Sequence, residues 1–357
     1  MNNLKTSNIL NEVIKGKKIN KDEFLYLYKY GDLLEIAQAA NKVRDSLVFK
    51  DKITFVVDRN INYTNICSCR CKFCAFYCDK SDSSAYVIEK NELFAKIEEA
   101  IELGASQLMI QGGLNDNLKI DYFEDMFKSI KSKFDITIHS LSAPEIFYIA
   151  NISNLTINET LQRLKKAGLD SLPGGGAEIL HDEIRNKISP NKINTNEWLD
   201  VMKKAHHLGM KSTATMMIGS VENIHHRLYH LEKIRQLQEE TGGFRAFIVW
   251  TYQPGNNDLR GSKVTSIEYL RFLALSRLYL NNITHIQGSW VTQGKKIGQL
   301  SIHFGADDLG SIMIEENVVR SAGVAYKMDK QEMIELIKAT GKVPAIRDTE
   351  YKIKQLF

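Results

Sequence analysis

All five cysteines of this 357-residue chain fall within twelve residues, 67–78, which read CSCRCKFCAFYC. Thiols can pair with one another, attack a substrate or bind a metal. Pairing is disfavoured, because the number is odd and neighbours two to four apart would close very short, strained loops. In a reducing compartment such a cluster more often holds metal. A structural zinc site takes four ligands, usually as two pairs on separate knuckles, and no distant second pair of cysteines exists. An iron–sulfur cluster can be held by thiolates on one compact loop. The spacing Cys67-x-x-x-Cys71-x-x-Cys74, with Phe73 just before the last thiol, suits that chemistry. Spacing alone also allows Cys71, Cys74 and Cys78. The surplus thiols, Cys69 and Cys78, read as small, partly buried side chains.

Such a loop must be carried by something rigid. Short apolar runs rich in β-formers alternate with longer amphipathic helical runs along most of the chain. The predicted strands are 53–57, 106–111, 136–141, 169–173, 212–218, 245–250, 284–290 and 298–304. Between them lie helical stretches such as NELFAKIEEAIELG, where Phe94, Ile97, Ala100 and Ile101 share a face. Alternation of this kind implies parallel strands joined by right-handed crossovers. About eight repeats point to an α/β fold of the (β/α)8 TIM-barrel type. Two helices over about 20–48 precede it, giving an N-terminal helical extension (1–50), a barrel (51–310) and a C-terminal helical extension packed on the barrel (311–357).

Unusual residues fall where these strands end. The cysteines follow the first, Gln111-Gly112-Gly113 the second, His139-Ser140 the third and Pro173-Gly174-Gly175-Gly176-Ala177-Glu178 the fourth. Gly219, then 252–256, 289–293 and Gly305-Ala306-Asp307-Asp308 follow the others. In parallel barrels the C-terminal strand ends carry the active site, so all eight are expected at one mouth. Glu145 fits a capping box with Ser142. His206-His207 and His225-His226-x-x-x-His230 read as solvated helix faces, and Lys295-Lys296 as an exposed pair. Phe76-Tyr77 could shield the cysteine loop from water.

Composition narrows the class. The net charge of +4 is small against 47 basic and 43 acidic side chains, dispersed without an arginine-rich arm, so nucleic acid is not suggested. No run of about 18 apolar residues is present, so no membrane span is expected. The first residues lack the apolar core of a secretory signal, which makes the cytoplasm the expected compartment.

The cysteine spacing at a strand end resembles the radical S-adenosylmethionine (SAM) superfamily. That resemblance implies a 4Fe–4S cluster on Cys67, Cys71 and Cys74, with SAM on the fourth iron and a 5′-deoxyadenosyl radical released from it. The stretches DRNINYTNIC, QGGLN, SLPGGGAEIL, STATMMIG, ETGGFRAF, YQPGN, SWVTQGKKIGQL and FGADDLGSIMIEENVV extend the likeness over roughly residues 40–325. They resemble the menaquinone-pathway cyclases acting on dehypoxanthine futalosine, whose near relatives are aminofutalosine synthases and deazaflavin (FO) synthase subunits. The likeness implies hydrogen abstraction from C4′ of the sugar, ring closure onto the benzoate, and a reducing partner such as flavodoxin or ferredoxin. Around SAM it implies Phe73, Gln111, Gly112, Gly113, Ser140 and Glu178, the two glycines admitting backbone close to the methionine part. Leu114 stands where many relatives carry an acid. Asp307, Asp308 and Glu178 are the catalytic candidates, with Glu145 and His285 as further possible bases. A non-catalytic zinc- or iron-binding module is the reading from another class.

Overall fold

The computed structural model describes residues 2–259 and 261–357. Its first strand is longer than the apolar run that announces it. Lys52–Val56 (β1) breaks at Val57 and resumes as Asp58–Asn62 (β2). The next strands are Gln107–Gln111 (β3), Thr137–Ser140 (β4), Ser212–Ile218 (β5), Phe244–Thr251 (β6), His285–Gln287 (β7) and Asp308–Ser311 (β8). β2, β3 and β4 pair in parallel, as do β5, β6, β7, β8 and β1. Single parallel bridges, His139 to Ser171 and Leu172 to Ser212, join β4 to β5. The pairings thus follow one another around a ring, with the bend at Val57 letting one segment serve both β8 and β3. The ring is thinnest at 171–172, because Pro173 and three glycines end the strand there.

The two helices expected over about 20–48 are Lys21–Tyr30 and Leu33–Leu47, and a third, Asn2–Ile14, precedes them. Asn20 and Asp32 cap the expected two. Phe24 packs edge-on against Phe272 and Tyr279 of the helix Ser266–Tyr279, which fixes this extension to the ring.

Two differences from the sequence reading bear on function. The run 298–304 is not a strand but the end of the helix Lys295–Ser301 and a 3-10 turn, Ile302–Phe304. Gly298 lies so close to Trp290 that a Cβ would be 2.4 Å from the tryptophan Cβ, a helix–helix approach that a short apolar run does not reveal. Asp307 and Asp308 therefore stand at the beginning of the last ring strand, not after it. The C-terminal extension, besides the helix Lys330–Lys338, contributes Val343–Arg347 (β9), parallel to β1, and Ile353–Leu356 (β10), antiparallel to β9. The turn between β9 and β10 enters the ring from its lower end. There Arg347 pairs with Asp308, Thr349 donates to Gln107 Oε1 at 2.6 Å, and Tyr351 stacks on His285 with centroids 3.8 Å apart. Among the described residues no helix is long and apolar enough to cross a membrane.

Candidate active site

β2 delivers the cysteine loop to the upper end of the ring, and the strand beside it holds the loop in place. Gly113 N donates to Thr64 O at 3.0 Å, Ser68 N to Leu114 O at 2.9 Å, and Leu114 N to Cys67 Sγ at 3.3 Å. Lys72 N donates to Ile188 O and Leu259 N to Lys72 O, tying the loop to the far rim. All five cysteines are free thiols. Cys67, Cys69, Cys71 and Cys74 line one cavity of 260 Å³ together with Phe73, Phe76, Tyr77 and residues 111–114. Cys78 does not line it; its thiol bonds the Ser84 side chain. The surplus thiols are thus unlike. Cys69 is a fourth sulfur inside the cavity, with its Sγ 3.5 Å from Cys71 Sγ.

The electrostatics suit a thiolate. The close contact with Cys69, with Lys192 nearby, holds the Cys71 thiol below its ordinary value. Burial pushes the Cys67 and Cys74 thiols up instead. Lys192, a residue no motif flags, is the buried cation of the site. Its Nζ lies 3.0 Å from Glu178 Oε1 and 5.2 Å above the Phe73 ring. Burial alone would lower its pKa, but Cys71 and Glu178 hold it above the ordinary lysine value. Glu178 is itself buried, in the left-handed region at φ +38°, and its Oε2 has no partner among the described residues. It does not cap the next helix; His181 is the residue before that helix, Asp182–Ile188. A cavity ringed by sulfur, with one buried lysine beside it and one unpartnered carboxylate oxygen, fits an iron–sulfur cluster carrying a ligand with an amino group.

The neighbouring predictions sort differently. Gln111, Gly112 and Gly113 line this cavity, but the glycines are there for the chain. A Cβ on Gly112 would lie 2.7 Å from the Tyr63 ring, and one on Gly113 would lie 2.1 Å from Ile66 O. Glu145 makes the expected capping box with Ser142. It also does more, since its Oε1 accepts from Gly112 N at 3.0 Å and from Tyr63 Oη at 2.9 Å. Ser140 does not reach the cavity. Strand alternation turns His139 inward and Ser140 outward, where its hydroxyl accepts from Ile110 N at 3.1 Å.

A second cavity of 320 Å³ fills the ring. Its wall is shared with the sulfur cavity at Gln111, Gly175, Gly176, Trp250 and Val318. Lower down it is lined by Asp58, Asn60, Gln107, His139, Arg245, Gln287 and Arg347. Of these only His139 is among the strand-end residues that the sequence places at the mouth; the others carry no such mark. Their signal was the inward register of 58 and 60, and of 107, 109 and 111, had β2 been recognised as part of strand one.

Asp307 and Asp308 do not serve as bases at the mouth. Asp307 pairs with Arg277 and accepts from His285 Nδ1 at 2.6 Å and Ile286 N at 2.8 Å. Although burial opposes it, Arg277 and His285 keep Asp307 below the usual carboxylate range. Asp308 takes Arg347 through two bonds, at 2.6 and 3.0 Å, and also accepts from Thr54 Oγ1 and Gly310 N. Both carboxylates are buried at the end of the ring opposite the thiols. Removing one member of a buried pair typically costs about 3–5 kcal/mol. Asp308→Asn is therefore expected to lower the melting temperature and the urea midpoint, with no comparable loss of turnover per folded molecule.

The histidines predicted as solvated are only partly so. His206 bonds Thr241 and Ser212, and His230 Nδ1 accepts from Leu180 N, both within the packed interior. His226 turns towards His181 and Glu183, whose ligand atoms lie within 4.8 Å of one another and of its own. Lys295 is tied to Glu332 rather than to either cavity.

Comparison with known proteins agrees with this geometry. The radical SAM superfamily pattern matches residues 61–234, and that of the CofH/MqnC C-terminal region matches residues 241–357. The cyclic dehypoxanthine futalosine synthase of Streptomyces coelicolor is 45% identical over 349 residues, covering 96% of this chain and 88% of the relative. The 5-amino-6-(D-ribitylamino)uracil–L-tyrosine 4-hydroxyphenyl transferase of Methanothermobacter thermautotrophicus is 39% identical over 359 residues, covering 98% and 97%. The crystal structure of methylornithine synthase superposes with a TM-score of 0.76 at 17% identity, covering 94% of this chain and 97% of that one. That last likeness is one of fold alone.

Proposed function

The chain belongs to the radical SAM superfamily, in the branch with a CofH/MqnC C-terminal region, and from that premise we propose that it cyclises dehypoxanthine futalosine. A 4Fe–4S cluster with SAM on its open iron supplies, when bound, a 5′-deoxyadenosyl radical that takes hydrogen from C4′ of the sugar. Cys67, Cys71 and Cys74 would hold the cluster. Lys192, with Glu178, would balance its charge and offer an acceptor to the SAM amine, the role that Leu114 cannot fill. Phe73, Phe76 and Tyr77 wall the sulfur cavity with rings and keep water from the radical. Substrate is held in the ring cavity, close to the radical source.

The observation that carries this reading is the wall common to the two cavities. A radical formed at the thiols is separated from a substrate in the ring only by residues 111, 175, 176, 250 and 318. Closing the new ring onto the benzoate and restoring its aromaticity releases one proton and one electron, the latter taken back by the oxidised cluster when bound, so the product is two hydrogens lighter than the substrate. The starting electron would come from a flavodoxin or ferredoxin in the cytoplasm.

Anaerobic turnover with SAM, a reductant and dehypoxanthine futalosine tests the proposal by mass spectrometry. The expected result is 5′-deoxyadenosine together with that lighter product. If dehypoxanthine futalosine is left unconverted while a parallel incubation with tyrosine and 5-amino-6-(D-ribitylamino)uracil yields their adduct, the transferase activity of the archaeal relative is favoured instead.

A further inference from the structure

The lower end of the ring cavity holds a cation with donor capacity left over. Arg245, near the start of β6, has a side chain only 8% exposed. Its Nη1 pairs with Glu350 on the turn after β9, and its Nη2 lies 3.4 Å from His139 Nδ1. Nε has no partner among the described residues. His139 Nδ1 lies closer to Ser171 Oγ, at 2.7 Å, and a guanidinium can only donate, so Arg245 Nη2 is no more than a second, longer donor to it. Burial, then Arg245 and Arg347, keep the ring neutral. Arg347 differs from Arg245. Its Nε and Nη2 are taken by Asp308 and its Nη1 by Asp348 O.

Arg245 and Arg347 are the only cations among the described residues lining this cavity, and both stand at its floor. The rim, by contrast, carries no cation among the described residues: Trp250, Val291 and Val318 stand there beside Gln111, Ser289, Thr292 and the carboxylate of Glu316. Lys192 is already committed to Glu178 and the thiols. In the lower wall Asp58 Oδ1, its carboxyl pKa pushed up by burial, and one level above it Asn60 Oδ1 are buried acceptors without a donor among the described residues. An anionic group below would complete Arg245 Nε and hydroxyl donors above would complete the orphan acceptors, whereas the reverse orientation would bury a carboxylate beside Glu316 with no cation to meet it.

We propose that Arg245 receives the carboxylate of the substrate at the floor of the ring, which points the hydroxylated sugar end upwards towards the sulfur cavity. The inference rests on the cyclase reading and deepens it, because it places C4′, rather than the aryl acid, nearest the radical. Arg245 is on this view a binding and orienting residue that leaves SAM cleavage itself untouched.

The test is equilibrium binding of dehypoxanthine futalosine and of its carboxamide analogue to SAM-loaded holoenzyme. Wild type is expected to favour the acid. In Arg245→Gln the acid should weaken by about 30- to 100-fold, the usual consequence of losing a buried charge-assisted pair. The amide should hardly change, so the preference disappears. Arg245→Lys should restore part of it, since the charge returns without the fork. The Gln variant should also release more 5′-deoxyadenosine per product, as a misoriented substrate lets the radical be wasted. Equal weakening of acid and amide, or no weakening of either, would overturn the proposal while leaving wild-type cyclisation intact. If wild type neither binds nor converts dehypoxanthine futalosine, the cyclase reading fails first and this inference falls with it.

Discussion

Cys71→Ala is expected to give a folded protein with far less than its full complement of iron and no measurable 5′-deoxyadenosine. Cys78→Ala should keep both. The contrast follows from position. Cys71 lines the cavity beside Lys192 and in tight contact with Cys69, a setting that favours a thiolate within the pair. A cluster with three protein ligands has no spare one to lose. Cys78 instead turns to Ser84, outside the cavity. Iron and sulfide analysis after anaerobic reconstitution reads the difference directly, with about four irons per chain expected where the cluster assembles. Cys69→Ala is the discriminating partner. It should retain the cluster, and if it loses the iron while Cys67→Ala keeps it, the ligand set is 69, 71 and 74.

Gly113→Ala should be nearly as damaging, although it removes no functional group. Its Cβ would lie 2.1 Å from Ile66 O and 2.8 Å from Cys67 Cβ. Neither atom is the loose end of a side chain, so the cysteine loop and the end of β3 must part. A displacement of about 1 Å at a reacting centre can cost a hundredfold, and here the displaced atoms include a cluster ligand. We expect at least that loss in cyclisation rate, accompanied by lowered iron content. Gly175→Ala provides the scale. Its Cβ would approach Gln111 Nε2 at 2.9 Å, a flexible side chain that can swing away. A Gly113→Ala enzyme with wild-type iron and rate would show that the loop has slack that the geometry denies.

The cysteine triplet and the βα alternation were legible in sequence because both are local signals with fixed periods. What failed was wherever the chain's meaning depended on a distant partner. The run 298–304 has the composition of a strand, yet it is helical and packs Gly298 closely on Trp290, and that misplacement carried Asp307 and Asp308 to the wrong end of the ring. β9 was hidden by Pro344, a residue that argues against a strand until β1 is seen beside it. Lys192 lies in a loop, ISPNKIN, with nothing to distinguish it from a solvated lysine until Glu178 and the thiols close around it. Arg245 stood inside a quoted motif, ETGGFRAF, but its inward direction becomes visible only from the register of β6.

The turn carrying Arg347, Thr349 and Tyr351 seals the ring from beneath, and it leaves the ribosome long after the thiols and every ring strand above it. The chamber that the thiols open onto is therefore closed only once the last segment of the chain has paired with β1. A nascent or nicked chain lacking that stopper would be a leaky radical generator, able to fire with nothing confined above the charge.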